Sequence, residues 1–191
     1  MKIIEASKEH APEIARLVMM AMTDECCLNL AGEGNTLDDF SRVMNRLTAA
    51  EHSQYSYRNA ILAVNDDGQV AGAIVSYDGA QLHSLRDAFY KAAEEELHVD
   101  RRGMDDETTA GEWYLDSLAV LPEFRGHGLA HLLLQAAISR GADNGLPATL
   151  LVDKGNPRAE RLYRSVGFEY VEDATWGGHS MRRLRFITHC R

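Results

Sequence analysis

The sequence predicts an α/β (α+β) fold in which a mixed β-sheet is flanked by helices, and three stretches carry that prediction. Residues 60–64 and 70–75 are two apolar runs joined at Asp66-Asp67-Gly68, a tight-turn signature, so they read as an antiparallel hairpin. Residues 148–152 read as a continuous apolar strand, the pattern of a strand covered on both faces beside a parallel neighbour. Between them, Leu118-Ala-Val-Leu-Pro-Glu-Phe-Arg-Gly-His-Gly-Leu-Ala130 runs from an apolar strand through a proline turn into a glycine loop that opens a helix.

Residues 1–6 form a short strand candidate, after which Ser7 caps a helix with Pro12 near its first turn and Ile14, Leu17, Val18 and Ala21 on one face. Residues 29–35 contain two glycines and read as a loop. Thr36-Leu-Asp-Asp39 is a capping-box variant opening a second helix to about residue 50, with Phe40, Val43, Met44 and Leu47 aligned. After the hairpin comes a long segment, residues 79–111. Leu82, Leu85, Phe89, Ala92 and Ala93 recur there at helical spacing and predict a helix over 81–97, followed by a polar loop over 100–111. Residues 112–121 alternate as a strand, and Leu129, Leu132, Leu133, Ala136 and Ala137 stripe the helix that follows. Asn156 with Pro157 behind it is a strong helix start, and residues 168–171 and 181–187 supply the last two strands. The predicted order is β-α-α-β-β-(α)-β-α-β-α-β-β. With no repeat and no linker, residues 1–191 read as one domain.

The chain of 191 residues is long enough to bury a sizeable core. Its net charge of −9 argues against a nucleic-acid partner, which a basic field would attract. No apolar run approaches the ~20 residues of a membrane span, and no signal peptide is visible, so a cytoplasmic protein without a membrane partner is expected. Cys26, Cys27 and Cys190 lack metal or framework spacing and read as reduced thiols. His127 and His131 are four apart, but His127 precedes the helix and no third ligand is evident, so no metal is expected.

The glycines of Arg125-Gly-His-Gly128 let backbone N–H groups approach an anion, and the helix from about Leu129 adds its unpaired first-turn N–H groups and positive dipole end. That is a pyrophosphate cradle. Arg125, Lys154, Arg158, Arg161 and Arg164 form a basic cluster around it in an otherwise acidic chain. A second signal starts twenty-eight residues after Gly128: Asn156-Pro-Arg-Ala-Glu-Arg-Leu-Tyr163, closing on Gly167-Phe168. The two stretches together resemble the GNAT superfamily of N-acetyltransferases. Arg125, Gly128 and Ala130 fill the first family pattern, and Asn156, Ala159, Leu162, Tyr163, Gly167 and Phe168 fill the second.

The resemblance implies a mixed, mostly antiparallel sheet with an extra helix inserted between the third and fourth strands. It implies acetyl-CoA as co-substrate, no metal, and direct acetyl transfer to a primary amine of a small molecule or peptide through a ternary complex. The backbone of Leu118 and Val120 would bond the pantetheine amides, and an N–H near Leu118 or Ala119 would polarise the thioester carbonyl. The N–H groups of Arg125, Gly126, His127, Gly128, Leu129 and Ala130 would take the pyrophosphate, with Asn156 and Arg158 beside the cofactor. Tyr163 would be the general acid for the leaving thiolate and a cofactor contact. For the base, Glu112 and Asp116 both remain candidates: with Tyr114 they alternate onto one side of the fourth strand, unless a bulge shifts that parity. Family members often pair through their C-terminal strands, so a homodimer is among the expectations. The acids of the inserted segment, Asp87, Glu94, Glu95, Glu96, Asp100, Asp105, Asp106 and Glu107, would steer a cationic amine if they roof the acceptor cleft; the alternative is a solvated face balanced by Arg86, Lys91, Arg101 and Arg102. Cys26 and Cys27 lie far from both motifs in sequence, which favours direct transfer over an acyl-enzyme. A non-catalytic acyl-CoA-binding module of the same fold is the alternative. A dinucleotide-binding fold is disfavoured because His131 stands where its third glycine belongs.

Overall fold

The turn at Asp66-Asp67-Gly68 closes as its composition predicts, with the Asn65 side chain accepting hydrogen bonds from the N–H groups of Asp67 at 3.0 Å and Gln69 at 2.8 Å. It joins two neighbours in a seven-stranded sheet. In the computed structural model, which describes residues 1–187, the strands are β1 (Lys2–Glu5), β2 (Ala60–Val64), β3 (Val70–Asp78), β4 (Trp113–Val120), β5 (Ala148–Asp153), β6 (Phe168–Trp176) and β7 (His179–Phe186). Their spatial order is β1-β2-β3-β4-β5-β7-β6. Every neighbouring pair is antiparallel except β4 and β5, which run parallel. Cys190 lies outside the described residues.

The helices are α1 (Ala11–Met22), α2 (Asp24–Ala31), α3 (Leu37–Ala49), α4 (Leu82–Ala92), α5 (Leu129–Asp143) and α6 (Pro157–Val166). The expected inserted helix is α4, prolonged by a wide turn over Ala93–Leu97. One expectation is corrected: α2 is absent from the predicted order, and it takes residues 29–31 from the start of the stretch read as a glycine loop, so three helices separate β1 from β2. Thr23 caps α2 through its hydroxyl, Cys27, Leu30 and Ala31 bury its inner face, and Gly32 ends it at φ +86°. An eight-residue helix with two adjacent cysteines has too few turns to show a periodicity, so packing rather than pattern defines it.

Two apolar layers cover the sheet. Along β2, Ala60, Leu62 and Val64 face the layer built on α1, α3 and α4, while Ile61 and Ala63 face the layer built on α5. Period-two alternation sorts the side chains this way, and each fully buried large aliphatic side chain contributes roughly 1.5–3 kcal/mol. Thr36 and Asp39 form the predicted capping box at the start of α3.

Three features of this frame position the site. First, β4 carries a bulge: Val75 pairs with Ser117 and Ser76 with Leu115, which leaves Asp116 as the extra residue. Second, β4 and β5 pair only at Trp113–Ala148 and Tyr114–Thr149 and then part. Third, residues 79–111 return to the sheet through a glycine contact. Gly79 donates its N–H to Glu112 O at 2.9 Å, and a Cβ there would stand 2.2 Å from Thr109 O. Within that insertion the acids considered as a roof divide. Glu95 and Glu96 pair with Arg46, and Glu94 with Arg102, whereas Asp100, Asp105 and Glu107 line the two adjoining cavities of the site and Asp87 lines a separate one.

Candidate active site

Because β4 and β5 diverge after Tyr114, the edge of β4 from Leu115 to Val120 has no strand beside it on the β5 side. The backbone direction follows from the ladder with β3. Leu121 donates its N–H to Ala71 O at 2.9 Å, so Ala119 also faces β3, and Leu118 and Val120 direct their N–H and C=O groups into the gap. Arg125 reaches back and donates from Nε to Val120 O at 3.0 Å, which ties the glycine loop to the strand end.

At the mouth of the gap, Gly126 and Gly128 stand at φ +84° and +76°, conformations a side chain resists. A Cβ at either would meet nothing within 4 Å, so their surroundings are open and the requirement is purely conformational. Among the described residues no acceptor takes the N–H groups of Gly126, His127, Gly128, Leu129, Ala130 or His131. The result is an unpaired run of donors at the positive end of a fifteen-residue helix. Of the basic cluster, Lys154 pairs with Asp173 and Arg164 with Glu160, while Arg158 and Arg161 are exposed.

Asn156 caps α6, its side chain accepting from Ala159 N at 3.1 Å, and Pro157 follows at the first helical position. The cap aims the helix so that Asn156, Ala159 and Tyr163 line one wall of a cleft of about 580 Å³. Tyr163 stacks edge-on against Phe168, and burial pushes its phenol up to about 12, so it is protonated at neutral pH. Leu118, Ser117, Asp116 and Tyr114 form the facing wall. The bulge accounts for that row, since it follows the run Glu112, Tyr114, Asp116 and turns Ser117 to the same side as Asp116.

The two carboxylates read from the strand sit in different surroundings. Asp116 lines the cleft, and burial raises it above the usual carboxylate range, opposed by hydrogen bonds from Ser117, Gln54 and Tyr77. Glu112 does not line the cleft. Its carboxylate accepts from Arg183 at 2.9 Å and from the hydroxyls of Thr108 and Thr149 at 3.0 Å each, with Arg185 at 3.6 Å. This arrangement fastens the inserted segment to β5 and β7.

Several residues of the cleft lie outside both sequence motifs. Glu107, from the stretch read as a polar loop, is buried in its wall, and burial together with the nearby Asp116 charge pushes its carboxyl up to about 7. Tyr55, Trp176 and His179 also line it, His179 with Nδ1 3.3 Å from Asp153. Cys26 is corrected as well. Remote from the motifs in sequence, it is brought by α2 into the cleft that holds Asp116 and Tyr163. A second cavity of about 440 Å³ adjoins, sharing Glu25, Cys26, Trp176 and His179 and extending to Asp100, Arg101 and Asp105. Among the described residues there is no group of three His, Cys, Asp or Glu side chains able to hold a metal ion, and no helix long and apolar enough to cross a membrane.

The chain is similar in sequence to the mycothiol acetyltransferase of Thermobifida fusca (strain YX), 40% identical over 83 residues that make up 42% of this chain and 25% of that protein. This chain spans about a quarter of the length of the curated relatives it matches. Among solved structures, an acetyltransferase aligns with TM-score 0.80 and 28% identity over 97% of this chain and 98% of its own. An N-acetyltransferase from Staphylococcus aureus Mu50 aligns with TM-score 0.80 over 97% and 100%, and at 23% identity it supports the fold. The family model described as Acetyltransferase (GNAT) family matches residues 35–168, a span that holds the parted strands, the donor loop and the helix of Tyr163, and the chain belongs to that family.

Proposed function

We propose that this chain is an N-acetyltransferase that binds acetyl-CoA and transfers its acetyl group directly to a primary amine of a small molecule or peptide. The observation that carries the reading is the gap between β4 and β5, open along the backbone of Leu118 and Val120 and ending at the free N–H groups of residues 126–131. An extended chain with two amides fits the first part as an added strand would, and a pyrophosphate fits the second. When bound, acetyl-CoA supplies an activated thioester. The backbone of Leu118 and Val120 orients its arm, and the cradle with Arg125 and Arg158 holds the phosphates. The N–H of Leu118 polarises the carbonyl; Ala119, the other candidate read from the sequence, turns its N–H to β3 and is set aside.

Tyr163 holds the proton required by a departing thiolate, since its raised phenol stays protonated at neutral pH. Asp116 accepts a proton from the incoming ammonium, and its raised carboxyl makes it a stronger base than an exposed aspartate. Glu112, engaged by Arg183, serves as the fastening of the wall. Direct transfer is supported by the chemistry of Cys26: burial, then the Asp116 and Glu25 charges, raise its thiol, which disfavours the thiolate an acyl-cysteine would need. The thiols Cys26 and Cys27 are free, in keeping with a cytoplasmic setting.

Thermal unfolding with and without acetyl-CoA, beside a thiol-release assay over a panel of amines, tests the reading. A raised midpoint with thiol release is the expected result. A raised midpoint with no release from any amine leaves an acyl-CoA-binding module, and an unchanged midpoint at saturating acetyl-CoA removes the site altogether.

A further inference from the structure

Six separate parts of the chain converge beneath the acceptor side of the cleft. Glu107 of the insertion receives the Arg86 guanidinium from α4 and the Trp176 indole N–H from β6, the latter at 3.1 Å, on one carboxylate oxygen. Its other oxygen meets the Gln54 amide, from the loop before β2, and the Tyr77 hydroxyl of β3 at 3.2 Å. The same amide donates to Asp116 Oδ2 at 2.8 Å, and the same hydroxyl lies 3.0 Å from it. Asp116 Oδ1 accepts from Ser117 at 2.7 Å. Glu107 is 3% exposed and Arg86 fully buried.

Two carboxylates are therefore bridged by two shared donors and offset by one guanidinium. If both were ionised, a buried site would keep a net negative charge, which is strongly disfavoured. One proton between the two relieves it, and the bridging donors bond well to either arrangement. We propose that Glu107 and Asp116 work as one proton-accepting unit with Arg86 as its positioning residue, so that the inserted segment supplies half of the base for the acceptor amine. This rests on the acetyl-transfer reading. In the step, an N–H bond of the substrate ammonium breaks, its electron pair stays on nitrogen, and an O–H bond forms on the carboxylate pair. The pair returns that proton to bulk water after turnover.

The surroundings agree with one shared proton. Burial, then the Asp116 charge, raises Glu107, while Arg86 opposes them. Facing the pair are Tyr77 on β3, Tyr114 on β4, Tyr55 before β2, Cys26 on α2 and Arg183 on β7, the last donating to Glu107 O at 3.2 Å. Asp106 and Tyr90 share the other side of Arg86. All three tyrosines are held well above their ordinary range, chiefly by burial, and stay neutral, so Arg86 is the cation that sets the charge of the unit.

The test is the pH profile of kcat/KM for the wild type, Glu107→Gln, Arg86→Met and Arg86→Lys, on the amine found by the panel. The wild-type acid limb is expected near 7. Glu107→Gln removes a negative neighbour, so the limb moves to lower pH and the plateau falls at least ~10-fold. Arg86→Met removes the cation and moves the limb up, whereas Arg86→Lys keeps it in place. Limbs that stay put in both Glu107→Gln and Arg86→Met, or move the same way, overturn the proposal.

A second readout needs neither turnover nor a folded Arg86→Met. A carboxyl raised in the folded state from 4.5 to about 7 binds its proton where the unfolded chain has lost it. Its stabilisation is therefore full below 4.5 and is lost as pH climbs to about 7. The melting midpoint should fall across that window in the wild type, and the part of the fall due to the shared proton should vanish in Glu107→Gln. Identical slopes in the two proteins overturn the shared proton. If wild type acetylates no amine at all, the acetyl-transfer reading fails and the catalytic role with it; if it does acetylate and the limb is unmoved, this inference alone fails.

Discussion

The two sides of the cleft are built in opposite ways. The donor side is local: one continuous stretch, Leu118 to Ala130, carries strand edge, loop and helix start, and its working atoms are backbone N–H groups left without a protein acceptor. The acceptor side is assembled. Glu107, Asp116, Gln54, Tyr77, Arg86 and Trp176 come from six parts of the chain, and their working atoms are buried or half-buried side chains held by one another. Backbone donors need only the right φ and ψ, which two glycines supply. A raised carboxylate needs a dry enclosure, and enclosure is made by distant segments.

Mutations can separate the sides. The largest expected effect is from Asp116→Asn, with kcat/KM lowered ~10²–10⁴-fold while the acetyl-CoA-dependent rise in melting midpoint persists. If both readouts fell together, the two sides would be one mechanical unit and the contrast would break. Next is Glu112→Ala, which takes from the largely buried Arg183 the nearer of its two carboxylates, Glu172 remaining at 3.3 Å, and should cost about 1–3 kcal/mol of stability in chemical denaturation. A loss below about 1 kcal/mol would mean the insertion is fastened elsewhere.

Gly128→Val asks a β-branched residue to hold φ +76° in the cradle. Losing one or two N–H contacts to an anion should weaken acetyl-CoA ~10–100-fold in a calorimetric titration, with KM for the amine unchanged. Smallest is the combined change of Glu94, Glu95 and Glu96 to Gln. These acids are half-exposed and paired with Arg46 and Arg102 outside the cleft, so KM for a cationic amine should match the wild type at low and high salt. A salt-dependent rise would return them to the acceptor path.

Legibility followed the same division. Asn156 with Pro157 announced α6 and, with it, the position of Tyr163, because a cap acts within one turn. Asp66-Asp67-Gly68 announced the β2–β3 hairpin for a similar reason. Helix α2 escaped, since a short helix between a capping threonine and Gly32 owes its existence to the core that Cys27 and Leu30 enter. Glu107 was legible only as one acid among those of the insertion, because its enclosure is made by Arg86, Tyr77 and Trp176, all well separated from it in sequence. Its partner did leave a mark. Arg86 falls on the same stripe of α4 as Leu82, Leu85 and Phe89, and a guanidinium on an apolar face calls for a buried anion. The stripe alone does not say which acid answers.

By itself, then, the sequence determined the order of strands and helices after residue 36, the donor loop and the tyrosine helix, all set by propensity, capping and glycine conformation within a few residues. Tertiary structure alone decided where β4 parts from β5, that Asp116 is the bulged residue facing the cleft, that Glu112 is tied to Arg183, and that Cys26 and Glu107 enter the site. Those outcomes depend on strand register and on which charges are shut away from water together, and both are properties of contacts between segments far apart along the chain.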